Sequence, residues 1–348
     1  MATFLKNIVS RDHPKSGSFL ASVAVVSIGE MGLGVAKLLT SHKYEVLTNI
    51  EGRSENTHKR AKSASIELVK TDGELASRAD YFLSIVPPKD ALSTAKRIAT
   101  AMSAPDFARR EAPLYYLDLN AVSPQHVREI AAILKPLADQ VRFIDGGIIG
   151  GSPTPADPFD PTARWRVPSI PMSGPHKLSE AVPGGEALAK ILNSKHIGDD
   201  VGTASGLKMC FASLTKGFQA IAIESFTTAH KLGVLCELQE QLKQTSSATA
   251  QMTASLTKMP PKAYRWVKEM KEIGETFAID GGFGEDERIF GAIAAVYNTV
   301  AKDTELGKEI TEKRKRGTTV EDIAACVAEG LEKRRKVEPE TSATPKAN

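Results

Sequence analysis

A lysine set among apolar residues on a helix is a candidate proton carrier, and this chain has one at Lys208. From residue 204 to 242 apolar side chains recur at helical spacing with no proline. On such a helix Lys208, Phe211, Ala212, Thr215, Phe218 and Gln219 share a face. Partial burial would lower the ammonium pKa toward working pH, which suits a general acid/base. The competing reading is a lysine that snorkels from the helix surface. A second chemical feature lies upstream, where a buried-strand run from Val23 leads into Ser27-Ile28-Gly29-Glu30-Met31-Gly32 and a helix start. That geometry turns backbone N–H groups outward at a helix N-terminus, a seat for an anion and above all for a dinucleotide pyrophosphate. Gly29 allows close approach to the phosphate and Gly32 allows close helix packing. Ser27 takes the first position of the G-x-G-x-x-G pattern.

Further candidates follow along the chain. The second strand runs out into Glu51-Gly52-Arg53-Ser54. Arg53 and Ser54 offer a fork of donors and a hydroxyl to the 2′-phosphate of NADP, and Arg60 adds charge from the next helix. Glu51 is the competing feature, because an acidic cap there would bind the ribose 2′-OH of NAD. NADP (NADPH) is therefore the preferred cofactor and NAD the alternative. The fourth strand ends Val86-Pro87-Pro88, which stops pairing at the ligand edge and puts Val86 and Pro87 beside the cofactor. Asn120 lies in the turn after the fifth strand, as a nicotinamide or substrate contact or as a plain turn residue. Ser123 reads as the following helix N-cap, with Pro124 at the first helical position. After the sixth strand, Asp145-Gly146-Gly147-Ile148-Ile149-Gly150-Gly151 reads as a flexible loop or as backbone N–H groups turned to a substrate oxygen. On that second reading Gly147, Ile148, Ile149 and Gly150 bind substrate. Lys216 and Lys268 are weaker candidates for an anionic substrate or the cofactor ribose.

The elements that must hold these residues alternate. Strand-like runs at 23–28, 45–48, 66–69, 81–86, 114–119 and 141–145 are interleaved with helical ones at 34–41, 89–102 and 123–138. This spacing predicts an α/β Rossmann-like domain with a doubly wound, parallel-rich sheet. Beyond Gly202 the pattern becomes all-α: one long helix over 204–242, then helices at 264–277, 285–303 and 319–333. The Pro-, Asp- and Thr-rich stretch 150–171 reads as a loop, with an insertion as the further reading. The expected organisation is an extension (1–19), a dinucleotide-binding domain (20–201), an all-α substrate and dimerisation domain (202–335) and a disordered tail (336–348).

At 348 residues two domains are expected, and 41% hydrophobic with 25% charged residues is ordinary for a globular chain. A net charge of +3 gives no reason to expect nucleic acid. The three cysteines, Cys210, Cys236 and Cys326, are too scattered for a disulfide framework or metal cluster, so no metal is expected and a reducing, cytoplasmic setting fits. No apolar run reaches membrane-spanning length, and the N-terminus lacks a signal-peptide core. The basic cluster Lys333-Arg334-Arg335-Lys336 reads as a solvated helix end, with a nuclear address as the lesser reading.

Taken in order, these pieces resemble the β-hydroxyacid dehydrogenase family over about residues 20 to 300. That family includes 3-hydroxyisobutyrate, tartronate semialdehyde and 6-phosphogluconate dehydrogenases, with imine reductases on the same scaffold. Its G-x-G-x-M-G opening is similar to Ser27–Gly32, its ribose motif to Gly52-Arg53-Ser54, and its substrate loop to Asp145–Gly151. Its catalytic motif resembles Gly202-Thr203-Ala204-Ser205-Gly206-Leu207-Lys208-Met209-Cys210-Phe211-Ala212, and a later K-D motif looks like Lys268-Glu269. The resemblance implies hydride transfer with Lys208 as acid/base, a small-molecule substrate and a homodimer. Several positions depart from it: Ser27 replaces the first glycine of the opening, Ile149 the loop serine, Ala212 the motif asparagine, and Ala204 a glycine. The stretches 207–217 and 264–270 instead look like a poorly characterised subgroup with its own C-terminal domain. The retained Lys208 favours alcohol or carbonyl chemistry. Imine reduction, or a cofactor-binding protein without catalysis, is the alternative.

Overall fold

The structure, a computed structural model, describes residues 19–157, 159–160 and 163–337. Except for residues 19, 336 and 337, the expected extension and tail lie outside the described residues. The chain divides into two compact units, Met1–Met209 and Cys210–Asn348. Among the described residues no helix is long and apolar enough to cross a membrane.

The first unit alternates as its sequence pattern predicts: β1 (Ser22–Val26), α1 (Glu30–Ser41), β2 (Glu45–Thr48), α2 (Glu55–Ser63), β3 (Glu67–Leu68), α3 (Asp72–Arg78), β4 (Tyr81–Ser84), α4 (Pro88–Met102), β5 (Leu114–Asp118), α5 (Pro124–Leu134) and β6 (Val141–Gly146). These six strands pair in parallel. Val23, Ala24, Val25 and Val26 are all buried, because helices cover both faces of a central parallel strand. Alternate residues feed separate cores: Val23, Val25, Leu83 and Leu117 on one face, and Ala24, Val26, Phe82 and Tyr116 on the other. On the second face Phe82 stacks on Tyr116 at 4.9 Å and Tyr116 on Phe143 at 5.9 Å.

Strand order is β3-β2-β1-β4-β5-β6, continued by two strands the sequence pattern missed, β9 (Ile170–Ser173) and β10 (Ser194–Gly198). The chain builds outward from β1 in one direction, then returns to add β4 on its other side. The switch point is therefore at the C-terminal end of β1, where ligands bind in open α/β sheets. β9 runs antiparallel to β6, which turns the stretch 150–171 from a free loop into part of the frame. Within that stretch a short ribbon forms from β7 (Thr154–Pro155) and β8 (Trp165–Arg166), and Ile149 bridges Ser169. Backbone pairing with β6 outweighed a turn-rich composition there. After α6 (Gly185–Ile191), β10 completes the sheet.

α7 (Thr203–Leu232) is shorter than the helix expected over 204–242. It stops because Gly233 takes a left-handed φ of 75°, with the Gly233 N–H bonded to the His230 carbonyl and the Val234 N–H to the Ala229 carbonyl. That pair of bonds is a Schellman C-cap. The second unit then continues as α8 (Leu235–Thr245), α9 (Ser247–Ala254), α10 (Ala263–Ile279), α11 (Phe290–Asp303) and α12 (Val320–Val337). The helix expected from 285 begins at Phe290, after a single 3-10 turn over Glu285–Glu287.

Candidate active site

The turn after β1 is built for an anion. Gly29 precedes α1 with extended backbone, and no side chain caps the helix. The first intrahelical bond runs from the Leu33 N–H to the Gly29 carbonyl, so the N–H groups of Glu30, Met31 and Gly32 precede the hydrogen-bonded ladder. A Cβ at Gly32 would collide with the Ser27 carbonyl oxygen, which explains glycine at the end of this tight turn. Ser27 and Ile28 line the cleft next to it.

That cleft, about 380 Å³, lies between the ends of β1 and β2 and is bordered by Gly29, Asn49, Glu51, Arg53, Thr57 and Arg60. Its polar lining comes mainly from the turn after β2 and from α2. The residue that follows β2 is Asn49, whose side-chain amide donates to Asp72 and whose side-chain carbonyl accepts the Glu51 N–H. Glu51 itself is exposed in the following turn. Ser54 precedes α2 without capping it, and its hydroxyl lies 3.1 Å from that of Thr57. Arg60 Nη2 reaches Thr57 Oγ1 at 3.4 Å, while Arg60 Nε is buried with no hydrogen-bond partner. A buried donor without an acceptor is costly, and an incoming phosphate oxygen would relieve it. Arg97 also borders the cleft, held in a two-pronged pair with Asp72 at 2.8 and 2.9 Å. It lies on α4, and no local motif marked it.

At the other end of the sheet edge, Lys208 sits two turns into α7. Its Nζ donates to the Ile148 carbonyl. Burial lowers its pKa to about 8. Its stem packs against Gly147, where a Cβ would lie 2.7 Å from Lys208 Cβ. Within the first unit the structure thus brings together Lys208, Gly147 and Ile148. It does not present the loop's N–H groups as expected: the Gly147 N–H donates to the Pro171 carbonyl and the Ile149 N–H to the Ser169 carbonyl. Pro171 of β9 and Ser169, which bridges Ile149 just before β9, take these donors. Gly150 has φ 132° and backs onto Pro168, so it shapes the loop.

Asn120 also departs from expectation. Its Oδ1 accepts the Val86 N–H at 2.7 Å, and its Nδ2 donates to Ser84 Oγ and Asp118 Oδ2 at 3.0 and 2.9 Å. Both ends of the amide are engaged and the residue is 2% exposed, so it ties β4 to β5. Val86 is buried by the same tie, and Pro87 stands directly before α4. Ser123 caps α5 by accepting the His126 N–H, with Pro124 at the first helical position.

In the second unit, Lys216 pairs with Glu269 and lies 4.9 Å from the Trp266 ring centroid. Lys268 pairs with the buried Glu272 at 2.9 Å. Each lysine already faces a carboxylate, which an anionic ligand would have to displace.

A mostly parallel, doubly wound sheet with a helix N-terminus that no side chain caps at its switch point is the frame of a dinucleotide-binding domain. Comparison with known proteins agrees. Residues 22–156 match the NAD binding domain of 6-phosphogluconate dehydrogenase, and residues 229–300 match a domain of unknown function (DUF1932). The chain belongs to the 6-phosphogluconate dehydrogenase-like family, in the branch carrying that C-terminal domain. An uncharacterized 28.5 kDa protein from Methanothermus fervidus is 30% identical over 229 residues, which span 64% of this chain and 76% of that protein. A conserved protein of unknown function, described as structurally similar to 3-hydroxyacid dehydrogenases, is 26% identical with a TM-score of 0.54, covering 80% of this chain and 96% of its own. A 3-hydroxyisobutyrate dehydrogenase from Salmonella typhimurium shares the fold at 15% identity, with a TM-score of 0.58 over 89% of this chain and 99% of its own.

Proposed function

We propose that the protein is an NADP-dependent oxidoreductase acting on a hydroxy acid or alcohol, or on the corresponding carbonyl, with Lys208 as general acid/base. The observation that carries this reading is the lysine itself. It is the ionisable group at the C-terminal end of β6 whose burial brings it near working pH, and it is held in place by Gly147 and Ile148. The α1 N-terminus would bind the pyrophosphate, and Arg53, Arg60, Ser54 and Thr57 the 2′-phosphate. The nicotinamide, when bound, supplies or accepts the hydride. Lys208 Nζ takes the hydroxyl proton in oxidation and returns it to the carbonyl oxygen in reduction. The proposed assembly is a homodimer, a reading supported by the exposed apolar residues Phe211, Leu214 and Ile221 on α7, spaced three and seven residues apart.

The test is Lys208→Ala against a panel of alcohols and carbonyls. Loss of a positioned acid/base should lower turnover by roughly 10²–10⁴-fold. Affinity for NADPH should stay unchanged, since Lys208 lies outside the cleft lining. Undiminished turnover would refute the assignment.

A further inference from the structure

Four polar side chains stand in register across neighbouring strands at the ligand edge: Ser84 on β4, Asp118 on β5, Asp145 on β6 and Ser173 on β9. All four are fully buried. Two residues earlier on the first three strands stand Phe82, Tyr116 and Phe143, so an aromatic ladder gives way to a polar one where the sheet meets α7. A buried carboxylate is costly unless donors surround it. Asp145 has four. Its Oδ2 accepts the Gly202 N–H at 2.9 Å, Ser173 Oγ at 2.9 Å and the Ser205 N–H at 3.2 Å, and its Oδ1 accepts Ser205 Oγ at 2.6 Å. Ser173 Oγ in turn accepts the Ala204 N–H at 3.0 Å.

The orphan N–H groups that open α7 are therefore satisfied by side chains from two strands and not by a local N-cap. The placement also sets a negative group at the positive end of the helix dipole. The chain that follows Asp145 continues the contact. Gly147 passes so close that a Cβ would lie 2.7 Å from Lys208 Cβ and 3.2 Å from the Ala204 carbonyl oxygen, and the Ile148 carbonyl accepts from Lys208 Nζ. Four consecutive residues, Asp145 to Ile148, thus hold the first two turns of α7 at three points. The neighbouring Asp118 is pushed up to about 7, chiefly by burial and further by the charge of Asp145, against the opposing N–H groups of Asn120.

We infer that Asp145 is a positioning residue for Lys208: by gripping Gly202 and Ser205 it fixes the first turn of α7, so that Lys208 is delivered past Gly147 onto the Ile148 carbonyl. This rests on the reading of Lys208 as proton carrier, and it locates the control of that lysine in a carboxylate that touches neither substrate nor cofactor. Nothing about it involves the cleft between β1 and β2, so cofactor binding and lysine placement should separate.

The experiment uses Asp145→Asn in the full chain, which keeps the size of the side chain but points an amide donor at N–H groups. Reductive ¹³C-methylation lets each lysine titrate separately by NMR, and Lys208→Ala assigns the Lys208 signal. In Asp145→Asn the Lys208 midpoint should rise by at least one pH unit. Amide exchange at Gly202 and Ser205 should quicken at least tenfold, and NADPH affinity should stay within twofold. Ser205→Ala, which removes one of the four bonds, should move the midpoint and the exchange in the same direction by less. An unmoved Lys208 midpoint and unchanged exchange in folded Asp145→Asn would overturn the inference. Should Asp145→Asn fail to fold, the same null result in Ser205→Ala overturns it. A wild-type Lys208 that already titrates as a surface lysine would instead overturn the acid/base role, while the exchange at Gly202 and Ser205 still decides the grip of Asp145.

Discussion

The two ends of the ligand edge are built on opposite plans. Around the turn after β1, the buried Arg60 Nε has no hydrogen-bond partner, and no side chain caps α1 or α2. Around the end of β6, donors and acceptors are matched internally. Asn120 is engaged at both ends, Asp145 holds four donors, and the N–H groups of Gly147 and Ile149 are taken by Pro171 and Ser169. An open set suits capture of a charged ligand, because the missing partner arrives with it. A matched set suits holding one group still, and at this end that group is Lys208. On the proposed function, rigidity and vacancy fall where chemistry and binding respectively need them.

If the matched end is a rigid frame, Asn120→Ala should be the most damaging change to stability. It strands the Val86 N–H, Ser84 and Asp118 in a buried setting, and each orphaned group costs about 1–3 kcal/mol, so a total loss of roughly 3 kcal/mol or more is expected in denaturant unfolding. A loss below ~1 kcal/mol would show that the frame tolerates vacancies. Gly147→Ala tests the frame more locally. Its Cβ presses on Lys208 Cβ, an overpacking of about 1–3 kcal/mol, and should lower turnover tens-fold with NADPH affinity intact. The reverse split would place Gly147 in the cofactor site. At the open end, Arg60→Ala removes a charged donor worth about 1.5 kcal/mol, and should cut the NADPH-over-NADH preference roughly tenfold in parallel titrations. An unchanged preference would assign the 2′-phosphate elsewhere.

The smallest effect is the pH response. A lysine lowered to about 8 by burial is increasingly neutral above that pH. Oxidation, which needs the free amine, should therefore rise as pH passes upward through about 8, and reduction, which needs the ammonium, should fall over the same window. Profiles of both directions check this, and a shared slope would remove Lys208 from the proton path.

Much of this was legible in the residues. The β1–α1 turn, the Ser123 cap, the proline stop at Val86-Pro87 and the lysine of α7 are local signals carried by neighbours in the chain. The parts that were not legible depend on partners far away. Asp145 meets Gly202 and Ser205 across 57 and 60 residues, and the loop N–H groups are taken by Ser169 and Pro171 of a stretch whose composition reads as turn. Asn120 looks the same in sequence whether it faces a ligand or three buried neighbours. Arg97 enters the cleft border from α4 because of where that helix packs.

The central claim is that the open end is an NADP site. Titrating the purified protein separately with NADPH and NADH, followed by nicotinamide fluorescence, tests it most directly. The account predicts NADPH binding at least ~10-fold tighter than NADH, the equivalent of one charge-assisted contact to the 2′-phosphate. Equal affinity, or a preference for NADH, would contradict it and shift the ribose contact to Glu51.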